Sequence, residues 1–178
     1  EMSDRIAYFH VGMPKTGTTA IQDSLAHNRD LLRANGLLYP GTDVDHAGLI
    51  PVLHHQGPAH FYFANRHIAE AVALESGTQK WEAIKEEVAG YEGNLIFSAE
   101  YFHNLNQKKV REIEAEFNAL GYKMVVIIYL RHPIAAAVSG ANQNIKMGKR
   151  LLQECVDEPR WHNNKASVER FWSALPKD

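Results

Sequence analysis

At 178 residues, with 45% apolar and 22% charged side chains, the chain has the length and composition of one globular domain able to bury a substantial core. A net charge of −2 and the lack of any long Lys/Arg run give no basic field for nucleic acid, so no nucleic-acid partner is expected. No apolar run approaches the length of a membrane-spanning helix, the lone Cys155 cannot close an internal disulfide, and the first strand begins too early to leave a signal peptide; the expectation is a cytoplasmic protein without a membrane partner.

The apolar run Arg5 to Val11 predicts the first strand. A helix follows from near Thr18 to about Ala34, with Ile21, Leu25 and Leu32 on one face and Asn35-Gly36 as its stop. Leu37 to Tyr39 reads as a short strand closed by Pro40-Gly41. From Thr42 to about Ser76 the pattern is mostly helical, broken by Pro51 and Gly57-Pro58. Trp81, Ile84 and Val88 mark a short amphipathic helix, and Asn94 to Phe97 a buried strand ending in Ser98-Ala99-Glu100. Val110, Ile113, Phe117 and Leu120 line a further helix stopped by Gly121. Met124 to Leu130 is an uninterrupted apolar run of the kind that forms a parallel strand buried on both faces. Arg131 and His132 end it, a helix starts at Pro133, and a last helical stretch contains Val168, Phe171 and Trp172. Strands alternating with helices predict an α/β fold, a three-layer parallel sheet with right-handed crossovers, as one domain over residues 1–178.

Chemistry concentrates at two strand exits. After the first strand comes Gly12-Met13-Pro14-Lys15-Thr16-Gly17-Thr18-Thr19, a glycine-bounded turn leading into a helix. Such a turn aims consecutive N–H groups, and the positive end of the helix dipole, at an anion. The glycine spacing fits G-x-x-x-x-G, but the ATPase motif then demands Lys and Ser/Thr, whereas here the lysine sits inside the loop at Lys15. After the last strand comes Arg131-His132-Pro133 with Ser139 about two turns into the helix, an R-x-P-x-x-x-x-x-S spacing. Taken alone, the loop is an ordinary strand–helix turn and Arg131 a surface cation; occurring together and in this order, they carry a stronger reading.

PKTGTT after the first strand with R-x-P-x5-S after a later one resembles the sulfotransferases that use 3′-phosphoadenosine 5′-phosphosulfate (PAPS) and release 3′-phosphoadenosine 5′-phosphate (PAP). The resemblance implies that Lys15, Thr16, Gly17, Thr18 and Thr19 bind the 5′-phosphosulfate, and that Arg131 and Ser139 bind the 3′-phosphate. It implies a P-loop-like α/β domain, sulfuryl transfer to a small-molecule or glycan acceptor, and no metal. Two departures stand out. Ala20 occupies the place where many cytosolic relatives carry a Trp that stacks on adenine. The late glycine- and lysine-containing loop of the family has no counterpart, since Gly148-Lys149-Arg150 falls in the wrong place, so the C-terminal elements are unaccounted for.

Transfer needs charge neutralised on the departing phosphate oxygen and a proton removed from the acceptor; Lys15 suits the first task. Glu100, near the exit of the strand at 94–97, is the first candidate for the base, against an alternative as a helix cap or ion-pair partner. His46 is the reserve, because five of the ten histidines fall between His46 and His67 and that segment, with the His54-His55 pair, can line the acceptor cleft. The histidine spacings make no metal motif. Tyr62, Phe63 and Trp81 read as core. Two other readings stay open: a P-loop nucleotide kinase or NTPase, disfavoured because the matched strands end without the Asp that holds Mg²⁺, and a non-catalytic nucleotide-binding module.

Overall fold

The computed structural model describes residues 5–159 and 164–176. The chain is an α/β protein built on a four-stranded, all-parallel sheet of order β2-β3-β1-β4. The strands are β1 (Arg5–Val11), β2 (Leu37–Leu38), β3 (Asn94–Ala99) and β4 (Tyr122–Ile127). Between β1 and β2 run α1 (Thr18–His27) and α2 (Arg29–Ala34). Two short helices, α3 (Ile50–Leu53) and α4 (Phe61–Ala64), precede the long α5 (Glu70–Ala89). Helix α6 (Gln107–Ala119) links β3 to β4, and α7 (Pro133–Lys146), α8 (Leu152–Asp157) and α9 (Asn164–Ala174) follow.

Alternation along the strands sorts the two faces of the sheet. Ala7, Phe9 and Val11 of β1 and Leu95, Phe97 and Ala99 of β3 are fully buried, in register, toward α5 and α6. There Phe9 stacks on Phe102 at 5.0 Å, and Phe97 meets Phe117 at 5.1 Å. Trp81 packs edge-on against both Phe97 and Phe117 and donates its indole N–H to Glu116 at 2.9 Å, so its polar end is satisfied at the core margin.

Several predicted boundaries move, each for a local reason. The helix expected over 18–34 breaks at Asn28, whose side-chain amide donates to the Ser24 carbonyl at 2.7 Å and competes with the helical ladder. The helix at Trp81 is not short: α5 runs unbroken through Gly77. A Cβ at that glycine would lie 3.1 Å from the ring of Pro51, so the residue marks close packing rather than a stop. Strand β3 extends to Ala99, beyond the predicted Phe97. Strand β4 ends at Ile127 instead of Leu130, because its neighbour β1 leaves the sheet two residues beyond His10, the partner of Ile127.

Candidate functional site

In a parallel sheet every strand delivers its carboxyl end to one edge, and the two motif-bearing exits meet there. The loop after β1 is anchored by the Gly12 N–H, which donates to the Ala99 carbonyl at 3.3 Å. A Cβ on Gly12 would lie 2.5 Å from both Cγ2 and Oγ1 of Thr18, so only glycine lets the loop close over the start of α1. Lys15 (φ 64°) and Gly17 (φ 84°) both adopt left-handed backbone. Glycine tolerates that conformation freely, whereas for a lysine it stores strain of about 1 kcal/mol. The hydroxyl of Thr16 donates to the Met13 carbonyl at 2.7 Å and braces the turn from within. Gly17 is the N-cap of α1; no side chain caps that end and no acidic residue occupies its first turn. The first-turn N–H groups therefore face outward with the dipole unopposed by the chain's own acceptors. Thr18 is buried and Thr19 exposed.

Arg131 reaches this loop. Its Nη1 donates to the Lys15 carbonyl at 2.9 Å, linking the exit of β4 to the residue with the strained backbone. Its own carbonyl accepts from the Asn164 side chain at 3.1 Å. Ser139 sits half-buried on α7, which Pro133 opens at its first turn. Lys15, Thr16, Gly17, Thr18 and Arg131 are thus brought together, while Ser139 is placed on the helix that follows.

Glu100 begins a 3₁₀ turn over Glu100–Asn104 directly after β3. Burial raises its carboxyl above the ordinary carboxylate range; the positive charge of Lys15 pulls it back and the negative charge of Asp45 pushes it up further. A half-buried carboxylate therefore lies within electrostatic reach of the loop lysine.

His46 occupies a different environment. Its Nδ1 accepts the Ser98 backbone N–H at 3.0 Å, and its Nε2 donates to the Pro40 carbonyl at 3.0 Å. Its own backbone N–H donates to the Ser98 carbonyl at 2.9 Å. Both ring nitrogens are taken and the residue is buried, so burial lowers its pKa to about 4. The side chain clasps the outer edge of β3 beyond the reach of the two-residue β2. The neighbouring His54 and His60 are also buried, with rings 4.6 Å apart, and His55 is exposed. Among the described residues, no group of three or more His, Cys, Asp or Glu is arranged to hold a metal ion.

Beneath the loop lies a polar chain that the sequence reading overlooked. Nδ1 of the buried His10 is 2.7 Å from the Ser98 hydroxyl oxygen, which also accepts from the Gln22 side chain at 3.2 Å. His10 and Ser98 are register partners on the sheet face opposite Phe9, and burial lowers the His10 pKa. The available signal was an imidazole inside an otherwise apolar strand. Asp45, which acts on Glu100, was also unrecognised as part of the site. No family model matches the chain, and no curated protein gives a significant match. No helix among the described residues is long and apolar enough to cross a membrane.

Proposed function

We propose that the chain is a PAPS-dependent sulfotransferase acting on a hydroxyl or amine of a small-molecule or glycan acceptor, with a P-loop-like loop on a three-layer α/β domain. The observation that carries this reading is the convergence of Lys15, Glu100 and Arg131 at one sheet edge, with Arg131 hydrogen-bonded to the Lys15 carbonyl. A cation inside the loop, a second cation beside it and uncapped helix N–H groups suit a doubly phosphorylated nucleotide.

The loop amides of residues 17–19, with the hydroxyls of Thr18 and Thr19, hold the 5′-phosphosulfate, and Thr16 shapes the loop through its bond to the Met13 carbonyl. Arg131 and Ser139 take the 3′-phosphate. PAPS supplies the sulfuryl group: the acceptor oxygen or nitrogen forms a bond to sulfur as the bond from sulfur to the bridging phosphate oxygen breaks, and PAP departs with that electron pair. Lys15 stabilises the charge that develops on the bridging oxygen. Glu100 takes the acceptor proton; it is preferred to His46, whose two ring nitrogens are engaged by backbone groups. The strands end without an Asp that would hold Mg²⁺, which sets this reading above a kinase or NTPase one.

Calorimetric titration of the metal-free protein tests it. PAP is expected to bind without metal and ATP to bind far more weakly. Arg131→Ala and Ser139→Ala are expected to weaken PAP more than adenosine 5′-phosphosulfate, with Arg131 losing about 1.5–3 kcal/mol. Preference for Mg²⁺-ATP over PAP would replace this assignment with the kinase one.

A further inference from the structure

The surface beside Glu100 has an aromatic side and an acidic side. Tyr101 follows Glu100 in the 3₁₀ turn at the carboxyl edge, and α4 packs against it. The rings of Phe61 and Tyr101 meet edge-to-face at 5.2 Å, and Tyr62 meets Tyr101 at 5.3 Å. Arg66 lies 3.7 Å over the Tyr62 ring, with its Nη1 donating to the Tyr62 carbonyl at 2.9 Å, so one face of Tyr62 is already covered. Phe61 packs against the buried His60 ring at 4.4 Å and 30°, yet it is still 48% exposed although it is a large apolar ring. On the acidic side, Asp45 accepts the Ala47 N–H at 2.9 Å through one carboxylate oxygen.

We propose that this surface is the acceptor subsite and that it takes an uncharged sugar, with the C–H face of the ring against Phe61 and Tyr101 and hydroxyls donating to Asp45 and Glu100. The inference rests on the sulfotransferase reading and names its substrate class. Charge argues against an anionic acceptor: Lys15 and Arg131 are committed to the nucleotide, which leaves Arg66 against the two carboxylates Glu100 and Asp45. The hydrogen-bonding inventory argues for several hydroxyls. Two ionised carboxylates are acceptors only, and a sugar with neighbouring hydroxyls supplies donors to both. A phenol has one donor, which the base consumes, and brings none to Asp45, whose contact stays the Ala47 N–H. The part of the Phe61 ring left open by His60 and Tyr101 presents an apolar platform for a sugar ring face, next to Tyr101, the residue that follows Glu100. During transfer the chosen hydroxyl gives its proton to Glu100 as its oxygen bonds to sulfur and PAP leaves.

The test uses the full chain saturated with PAP and follows saturation-transfer NMR of three methyl glycosides, those of glucose, galactose and N-acetylglucosamine, beside p-nitrophenol and tyramine. At least one glycoside is expected to receive saturation through its ring C–H protons, and neither p-nitrophenol nor tyramine is expected to displace it. Phe61→Ala should weaken that glycoside by about tenfold while leaving PAP affinity unchanged, and Phe61→Trp should restore it. Binding of PAP with no glycoside, or displacement by phenol or amine, overturns the sugar assignment and leaves the sulfotransferase reading standing. An unchanged glycoside affinity in Phe61→Ala overturns the placement of the subsite. Failure to bind PAP at all removes both.

Discussion

Lys15 combines a strained backbone, a charged side chain beside a half-buried carboxylate and a carbonyl held by Arg131. Because the charge it is proposed to stabilise develops only during transfer, Lys15→Ala should lower turnover by roughly 10²–10³ while changing PAP affinity little. Steady-state rates beside calorimetry decide this, and full activity in the variant would remove Lys15 from the mechanism. Glu100 allows a pH test. A base must be deprotonated to act, and burial raises the pKa of Glu100, so the acid limb of the rate profile should lie above the ordinary carboxylate range. Asp45→Asn removes a charge that raises that pKa and should move the limb to lower pH. Glu100→Gln should abolish turnover under saturating PAPS, and a limb that stays in place in both variants would sink the assignment. Lys15 and Arg131 were legible in the sequence because each stands at a fixed offset from a strand exit. Asp45 was not, since it stands at no fixed offset from a strand exit. His46 read as a spare base because no spacing shows that an imidazole is already occupied at both nitrogens.

At the scale of elements, the phosphate loop is a packing solution as much as a binding device. Gly12→Ala would drive a methyl group into Thr18 at the start of α1, so it should displace the helix from the loop and weaken PAP by at least about tenfold. Calorimetry of a variant shown by circular dichroism to be folded checks this; native PAP affinity would mean the loop tolerates the shift. The alternation of strands and helices, the span of β1, the buried face of α6 with its end before Gly121 and the start of α7 followed from hydrophobic period and turn residues. What escaped the pattern depended on partners distant in sequence. The helix marked by Trp81, Ile84 and Val88 read as short, whereas α5 runs on through Gly77 where Pro51 packs against it, and β4 ended where β1 ceased to offer a ladder. The segment at 42–69 fragments into short turns because its histidines bond to local backbone, as when His54 and His60 each accept an N–H two residues on.

Across the whole molecule, buried neutral histidines make folding sensitive to acid. The folded-state pKa of His46 is about 4 against an ordinary value of 6.5, so the unfolded chain binds more protons between those values. Stability should be full above about pH 6.5 and fall as pH drops toward 4, by on the order of 3 kcal/mol from His46 alone. His10, His54 and His60 act in the same direction, because burial lowers each. Urea unfolding at about pH 7.5 and about pH 5 should show the loss, and His46→Gln should flatten the slope even if it lowers stability overall. Equal midpoints at the two pH values would contradict it. The hydrogen bond from the Ser98 amide to the His46 imidazole has one more consequence. That amide proton can exchange with solvent only when the segment around His46 lifts from β3, because the same bond fixes both. Its deuterium uptake, followed as a single resonance, is therefore a built-in clock for how often the wall beside Glu100 opens.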